Sequence, residues 1–279
     1  MNDAPWRFLP YRALSAAENM AMDEAVFRLN RREGLPPTLR FFGWQPPAVS
    51  LGYFQKTPRE IDVGACRRAG IDIVRRPTGG KAVLHEHELT YSLVAAADDP
   101  LFTGDIVGTY RVVSACIEEA LRRLGLTPEV AFEGRSAAGT PMEGYCFAAP
   151  SRYELLVGGR KICGSAQVRS GGAFLQHGSL LADMDPLRTA SVMGVSVEGV
   201  VKTTTTLREQ LGRAIGYEDL GRLLRDAFED TLGVRLAEGG LSPAEESLKE
   251  RLLAEKYGTD RWNLEGKGDP GEDADPAAP

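Results

Sequence analysis

Two glycine pairs dominate the middle of this chain. Gly158-Gly159 and Gly171-Gly172 separate three runs of strand-forming residues. A tight hairpin turn needs positive φ at its centre, which glycine supplies at no steric cost. The spacing predicts an antiparallel meander of Arg152 to Val157, Arg160 to Arg169 and Ala173 to Leu181. Side chains alternate along a strand, so Lys161, Cys163, Ser165 and Gln167 share one face of the middle one.

Helices and shorter strands surround that meander. Ser15 with Glu18 forms a capping box that opens a helix through about Arg32, whose apolar residues fit one face only loosely. Short strands are expected at Thr38 to Phe42, Ala48 to Leu51, Ile71 to Arg75 and Glu88 to Ala95. Apolar residues at helical spacing predict a helix from Asp105 to Leu124 that stops at Gly125. Further helices are expected after Thr206, over Glu218 to Leu232, and from Ser242-Pro243 to near Gly258. This is an α+β pattern.

Composition narrows the function. The chain has 279 residues, 43% hydrophobic and 26% charged, which excludes collagen-like, coiled-coil and wholly disordered classes. Of the net charge of −6, the last 15 residues from Glu265 carry −4, and this Gly- and Pro-rich acidic stretch is expected to be a disordered tail. The rest is close to neutral with no basic stripe, so no nucleic-acid partner is expected. The longest apolar run, Leu93 to Ala97, is far short of the roughly 20 residues a membrane span needs. With no visible secretory signal, a cytoplasmic location is expected.

Three segments carry residues with chemistry. In RRPTGGKAVLHEH, a strand runs into Thr78-Gly79-Gly80, with Arg75 and Arg76 placed to hold an anion or to face solvent. Lys81 is followed by Ala82, so this is not a P-loop. His85 and His87 share a face if the segment is a strand, but no third ligand lies at a familiar metal spacing. A histidine lining a pocket, or satisfied by a neighbouring acid, is the better reading. The four cysteines, Cys66, Cys116, Cys146 and Cys163, form no CxxC pair and read as free thiols. Cys146 precedes the meander in a loop, and the hairpin pairing is able to bring Lys161 near it. A thiol beside an ammonium falls from a pKa of about 8.5 into roughly the 3.5–7.5 range and becomes an attacking thiolate. The other reading leaves Cys146 inert and Lys161 solvated. His177 is placed to line the same cavity from the third strand.

Together these segments resemble the biotin/lipoate protein ligase superfamily, and within it the cysteine-dependent octanoyltransferases. RRPTGGKAVLHEHELTYS resembles the family's Arg-Arg-x-x-Gly-Gly loop with its Ala-Val-x-His continuation. GRKICGSAQ and LQHGSLL resemble its two following strand motifs, and NMAMDEA and KYGTDRWNL are also similar. Lys81 stands where ATP-dependent lipoate ligases usually have a third glycine, and those enzymes need no cysteine at Cys146.

The resemblance implies one α+β catalytic domain over residues 1–264, a mixed, bent β-sheet flanked by helices, with a helical segment over about 206–264. It implies that Cys146 forms an acyl-thioester, that Lys161 lowers its pKa and helps deprotonate the incoming amine, and that Arg75, Arg76, Gly79, Gly80, His85, Ser165 and His177 bind substrate. The implied donor is octanoyl-acyl carrier protein. The implied acceptor is a lysine of a lipoyl-domain protein such as glycine-cleavage H protein. Neither metal nor nucleotide is expected, because the thioester already carries the activation, and a monomer suffices. The alternatives are an ATP-dependent lipoate ligase, an amidotransferase that takes octanoyl from H protein, and a non-catalytic acyl-binding module.

Overall fold

The computed structural model describes residues 4–102, 105–131 and 154–268. Cys146, the expected strand start at Arg152 and the tail from residue 269 onward lie outside the described residues. In chain order the elements are β1 (Trp6–Leu14), α1 (Ala16–Arg32), β2 (Thr38–Trp44), β3 (Ala48–Leu51), α2 (Thr57–Glu60), α3 (Val63–Arg68), β4 (Asp72–Arg75), β5 (Val83–His85), β6 (Glu88–Ala96), α4 (Ile106–Arg123) and β7 (Pro128–Val130). Then follow β8 (Leu155–Val157), β9 (Arg160–Ser170), β10 (Ala173–Leu181), α5 (Pro186–Met193), α6 (Val197–Thr203), α7 (Leu207–Leu211), α8 (Tyr217–Leu232), β11 (Leu236–Glu238), α9 (Pro243–Leu252) and α10 (Asp260–Asn263).

The glycine pairs turn as expected. All four residues have φ between 56° and 75°, and β9 pairs antiparallel with β8 and with β10. The meander supplies three strands of an eight-stranded sheet ordered β11-β1-β2-β6-β10-β9-β8-β7. Within it β1 runs parallel to β2 and β11, and the other neighbours are antiparallel. The remaining strands form a second sheet, β4-β3-β5, that the sequence reading had not separated from the first. Its cause lies between β2 and β3, where Pro46 and Pro47 donate no hydrogen bond and so cannot extend the ladder.

One face of the large sheet buries α4 and α8. Their contacts with it build a core around Phe41, Tyr91, Ile117, Phe174, Leu224 and Phe228, each large side chain worth about 1.5–3 kcal/mol of burial. The opposite face carries α1, which is itself covered by α9 and the following turn. Being covered on both sides explains its blurred apolar stripe. Met20, Ala21, Val26 and Phe27 are buried, and so are Asn19, Asp23, Glu24 and Asn30. The second sheet packs under α3, α5 and α6 through Val49, Cys66, Leu84, Met193 and Val200. Residues beyond 206 are woven into this body. β11 extends the large sheet beside β1, and Trp262 of α10 donates its Nε1 to the carbonyl of Arg75 at 2.8 Å. Among the described residues no helix is long and apolar enough to cross a membrane.

The end of β3 sets the close approach on which the site depends. A Cβ on Gly52 would lie 2.0 Å from the carbonyl oxygen of Gly80, a backbone atom that has no room to yield. Gly80 has φ +98°, a conformation that favours glycine. Gly52→Ala is therefore expected to cost about 1–3 kcal/mol, visible as a lowered thermal midpoint. An unchanged midpoint would show that this crossing is loose.

Candidate active site

A cavity of about 170 Å³ opens where the two sheets meet the start of α1. Its walls come from every neighbouring element: Met20 and Trp44, Ser50, Val83 and His85 of the small sheet, Thr90, Glu154, Gly164 to Ala166 of β9, and His177 to Ser179 of β10. Arg76, Gly80 and Lys81 close one side. Of the residues expected to bind substrate, Arg76, Gly80, His85, Ser165 and His177 meet here. Arg75, Gly79 and Lys161 stand outside the lining formed by the described residues.

Arg75 and Arg76 follow one another at the end of β4, so their side chains leave in opposite directions. Both are buried and do not face bulk solvent. Arg75 gathers the carbonyls of Gly52, Tyr53, Gln55 and Trp262, with Thr57 Oγ1, at 2.7–3.1 Å. It pins the chain after β3 to α10. Arg76 turns to the cavity. Its Nη2 donates to the carbonyls of Gly79 and Lys81, both at 2.8 Å, and so shapes the glycine loop. Its Nε donates to Thr78 Oγ1 at 3.1 Å, and its Nη1 to Ser50 Oγ at 3.0 Å.

Each of those hydroxyls leads to a histidine. Thr78 Oγ1 lies 2.7 Å from His177 Nε2, and His177 Nδ1 lies 3.4 Å from Asp23 Oδ2. Ser50 Oγ lies 2.7 Å from His85 Nε2, and His85 Nδ1 lies 2.5 Å from Glu88 Oε1. A guanidinium only donates and a carboxylate only accepts. Each chain is thereby polarised: the hydroxyl accepts from Arg76 and donates to Nε2, and Nδ1–H donates to the acid. The His85 ring also stacks on Trp44, with centroids 4.0 Å apart.

The two chains end on differently compensated acids. Asp23 pairs with Arg40 at 2.6 Å. Burial opposes its ionisation, but Arg40 and then His177 outweigh that and hold the carboxyl below its usual range. His177 is itself pushed below the ordinary histidine range, by burial first, against the pull of Asp23 and with help from Arg76 and His85. Glu88 instead collects hydroxyls, from Ser179 at 2.6 Å and Thr90 at 2.8 Å.

On β9, Lys161 is buried and its Nζ meets Glu154 Oε1 at 2.5 Å. Glu154 is the member of that pair that lines the cavity. Ser165 also lines the cavity, and its Oγ lies 2.7 Å from the Tyr91 hydroxyl beneath Gly178. Cys66, Cys116 and Cys163 are free and buried, as their positions had suggested. Burial pushes the Cys163 thiol up to about 12 even with Lys161 nearby, and Cys116 likewise to about 12. Cys146 lies outside the described residues. Among the described residues no three His, Cys, Asp or Glu side chains are grouped to hold a metal.

Sequence reasoning passed over Ser50, Thr78, Asp23, Glu154 and the particular role of Glu88. Only Glu88, three residues from His85, carried a local signal as the neighbouring acid expected to satisfy a histidine. Thr78 lies in the glycine loop two residues from Arg76, whereas Ser50, Asp23 and Glu154 reach the site through strand register and long-range packing.

The cavity lies between a large mixed sheet and a smaller one and is closed on one side by an arginine-braced glycine loop. The chain matches the lipoyl protein ligase A/B catalytic domain over residues 15–229 and belongs to that family. It is 41% identical to Octanoyltransferase LipM of Kyrpidia tusciae over 92% of this chain and 98% of that protein. It is 35% identical to Octanoyltransferase LipM of Bacillus subtilis, over 94% and 99%. Among solved structures it is similar to lipoate-protein ligase A bound with ATP, with a TM-score of 0.77 and 27% identity over 94% of this chain and 99% of that one. It is also similar to the bi-partite lipoate protein ligase of Thermoplasma acidophilum, with a TM-score of 0.76 and 26% identity over 93% and 96%.

The depressed His177 has a consequence for stability. The unfolded chain takes up that proton first, near pH 6.5, while the folded state resists it. The stabilisation is therefore complete above that pH and is lost as pH falls toward the folded value. The thermal midpoint should drop between pH 7.5 and 5.5, and by less in His177→Gln. An equal drop in both proteins would contradict the assignment.

Proposed function

We propose that the chain is an octanoyl-[acyl-carrier-protein]:protein N-octanoyltransferase of lipoate biosynthesis. The observation that carries this reading is the near-full-length identity, 35–41%, to proteins named octanoyltransferases. In this reading residues 1–264 act as one cytoplasmic, monomeric catalytic domain completed by its helical segment from about 206, and residues 265–279 are an acidic tail outside it. The donor is octanoyl-acyl carrier protein and the acceptor a lysine of a lipoyl-domain protein, such as glycine-cleavage H protein.

The reaction runs in two halves. Cys146, as thiolate, attacks the thioester carbonyl of the donor; the carrier's thiol leaves and octanoyl stays on Cys146. The acceptor amine then attacks that second thioester, an amide forms, and the Cys146 sulfur leaves. Lys161 supplies the positive charge that favours the thiolate, held in place by Glu154 at 2.5 Å. Arg76, Gly80, His85, Ser165 and His177 surround the acyl group in the cavity, and Arg75 and Gly79 support the loop. The thioester already carries the activation, so the transfer draws on neither ATP nor metal.

Incubation with octanoyl-carrier protein in the absence of ATP should give one octanoyl adduct by mass spectrometry, located on Cys146 and absent from Cys146→Ala. Lys161→Met should form it about 10–100-fold more slowly near pH 6.5, where the thiolate depends on the neighbouring charge. An undiminished adduct in Cys146→Ala contradicts the reading. Acyl transfer that appears only with ATP and free octanoate would make the protein a ligase.

A further inference from the structure

Phe54 is the most exposed large hydrophobic side chain among the described residues, at 85%, and Tyr53 beside it is 40% exposed. A single apolar residue at a surface is ordinary, but this one is held out firmly. Its turn is closed by the Gly52 N–H donating to Gln55 Oε1 at 2.8 Å and the Gln55 N–H donating to the Gly52 carbonyl at 3.0 Å. Arg75 binds the carbonyls of Gly52, Tyr53 and Gln55, and the Tyr53 N–H donates to the Thr78 carbonyl of the glycine loop at 2.9 Å. Three rings then stand edge to face from the interior outward. Trp262 is buried, Tyr53 lies 5.7 Å from it, and Phe54 lies 4.8 Å from Tyr53. An aromatic braced in this way loses little freedom on contact, which suits it to anchor a protein interface.

The turn borders the cavity. Gly52 crosses Gly80, and Lys81, the next residue, lines the cavity on that side. Lys81 is exposed, and so is Lys56, two residues beyond Phe54. Charge is concentrated here. Residues 52–81 carry seven lysines and arginines against three acids, in a chain whose net charge is −6. Arg75 and Arg76 are buried, and Arg67 is shared with Asp260 at 2.9 Å. Of the acids, Glu60 accepts from Gln55 and Asp62 caps α3. Lys56 and Lys81 therefore leave the surface beside the aromatic pair positive.

Two macromolecules use the site in the transferase reading, on which this inference rests, and they bring opposite charges. The donor's acyl group arrives on a phosphopantetheine arm, whose phosphodiester is an anion joined to the carrier. The acceptor presents a lysine ammonium. An apolar anchor flanked by ammonium groups attracts the first and repels the second.

We propose that the turn from Gly52 to Lys56, with Phe54 as its anchor and Lys56 and Lys81 as its charged flank, is the docking surface for the carrier protein that delivers the acyl thioester. Phe54 is covered by the carrier, and the two ammonium groups face the anionic surface around its phosphodiester. The contact is small and transient, because the carrier must leave before the acceptor enters.

The test compares two donors on the full chain, octanoyl-carrier protein and octanoyl-pantetheine, a thioester without the carrier. Phe54→Ser and Lys56→Glu, both at exposed positions, should each raise KM for the carrier-borne donor about 10-fold. Acylation by octanoyl-pantetheine, and the later transfer to a lipoyl-domain protein, should stay within about twofold of wild type. Salt at about 0.5 M should remove most of the defect of Lys56→Glu and little of that of Phe54→Ser. Binding of unacylated holo-carrier, read by fluorescence anisotropy, should weaken about 10-fold in both variants and requires no chemistry. Equal losses with both donors, losses confined to the lipoyl-domain step, or carrier binding unchanged in both variants overturn the assignment. A wild type that forms no acyl-enzyme with either donor removes the transferase reading, and the binding comparison then still decides the docking surface.

Discussion

The site depends on one buried cation, the guanidinium of Arg76. It donates to the backbone of the glycine loop on one edge and to two hydroxyls on the other. Because it only donates, and because Asp23 and Glu88 only accept, it orients two hydroxyl–histidine–carboxylate chains at once. The loop and the two imidazoles are therefore parts of one hydrogen-bonded object. A cavity wall built from three separate strands and a loop acquires a fixed arrangement of lone pairs.

The preceding residue does the complementary work. Strand alternation at the end of β4 sends Arg75 away from the cavity, where it ties the segment after β3 to α10. A motif of two adjacent arginines thus has one member bracing the fold and one building the site. Glycine completes the scheme, since the contact between Gly52 and Gly80 leaves no space for a Cβ.

Much of this was legible from local pattern. The glycine pairs defined the meander, and caps at Asp105, Thr206 and Ser242 begin helices where their side chains accept from the first turn. His85 and His177 were expected in one cavity and are found there. What escaped is non-local or unusually patterned. β1 was missed because Pro10 and Arg12 interrupt it, and the structure absorbs them in a register shift between Leu9 and Arg12. β5, β7 and β11 are three residues long and carry no periodicity. The pairing of Lys161 with Glu154 required the irregular register of β8 against β9. The polar residues of α1 were unreadable as a site component until its burial on both sides was known.

The central claim is that both cavity histidines present an unprotonated Nε2 to a hydroxyl. The chain has three histidines, so long-range ¹H–¹⁵N correlation spectra of the imidazoles near pH 7.5, assigned with His87→Gln, test it directly. His85 and His177 should each show a protonated Nδ1 and a bare Nε2. A proton on Nε2 of either ring would contradict the polarised chains, and with them the account of how Arg76 organises the site.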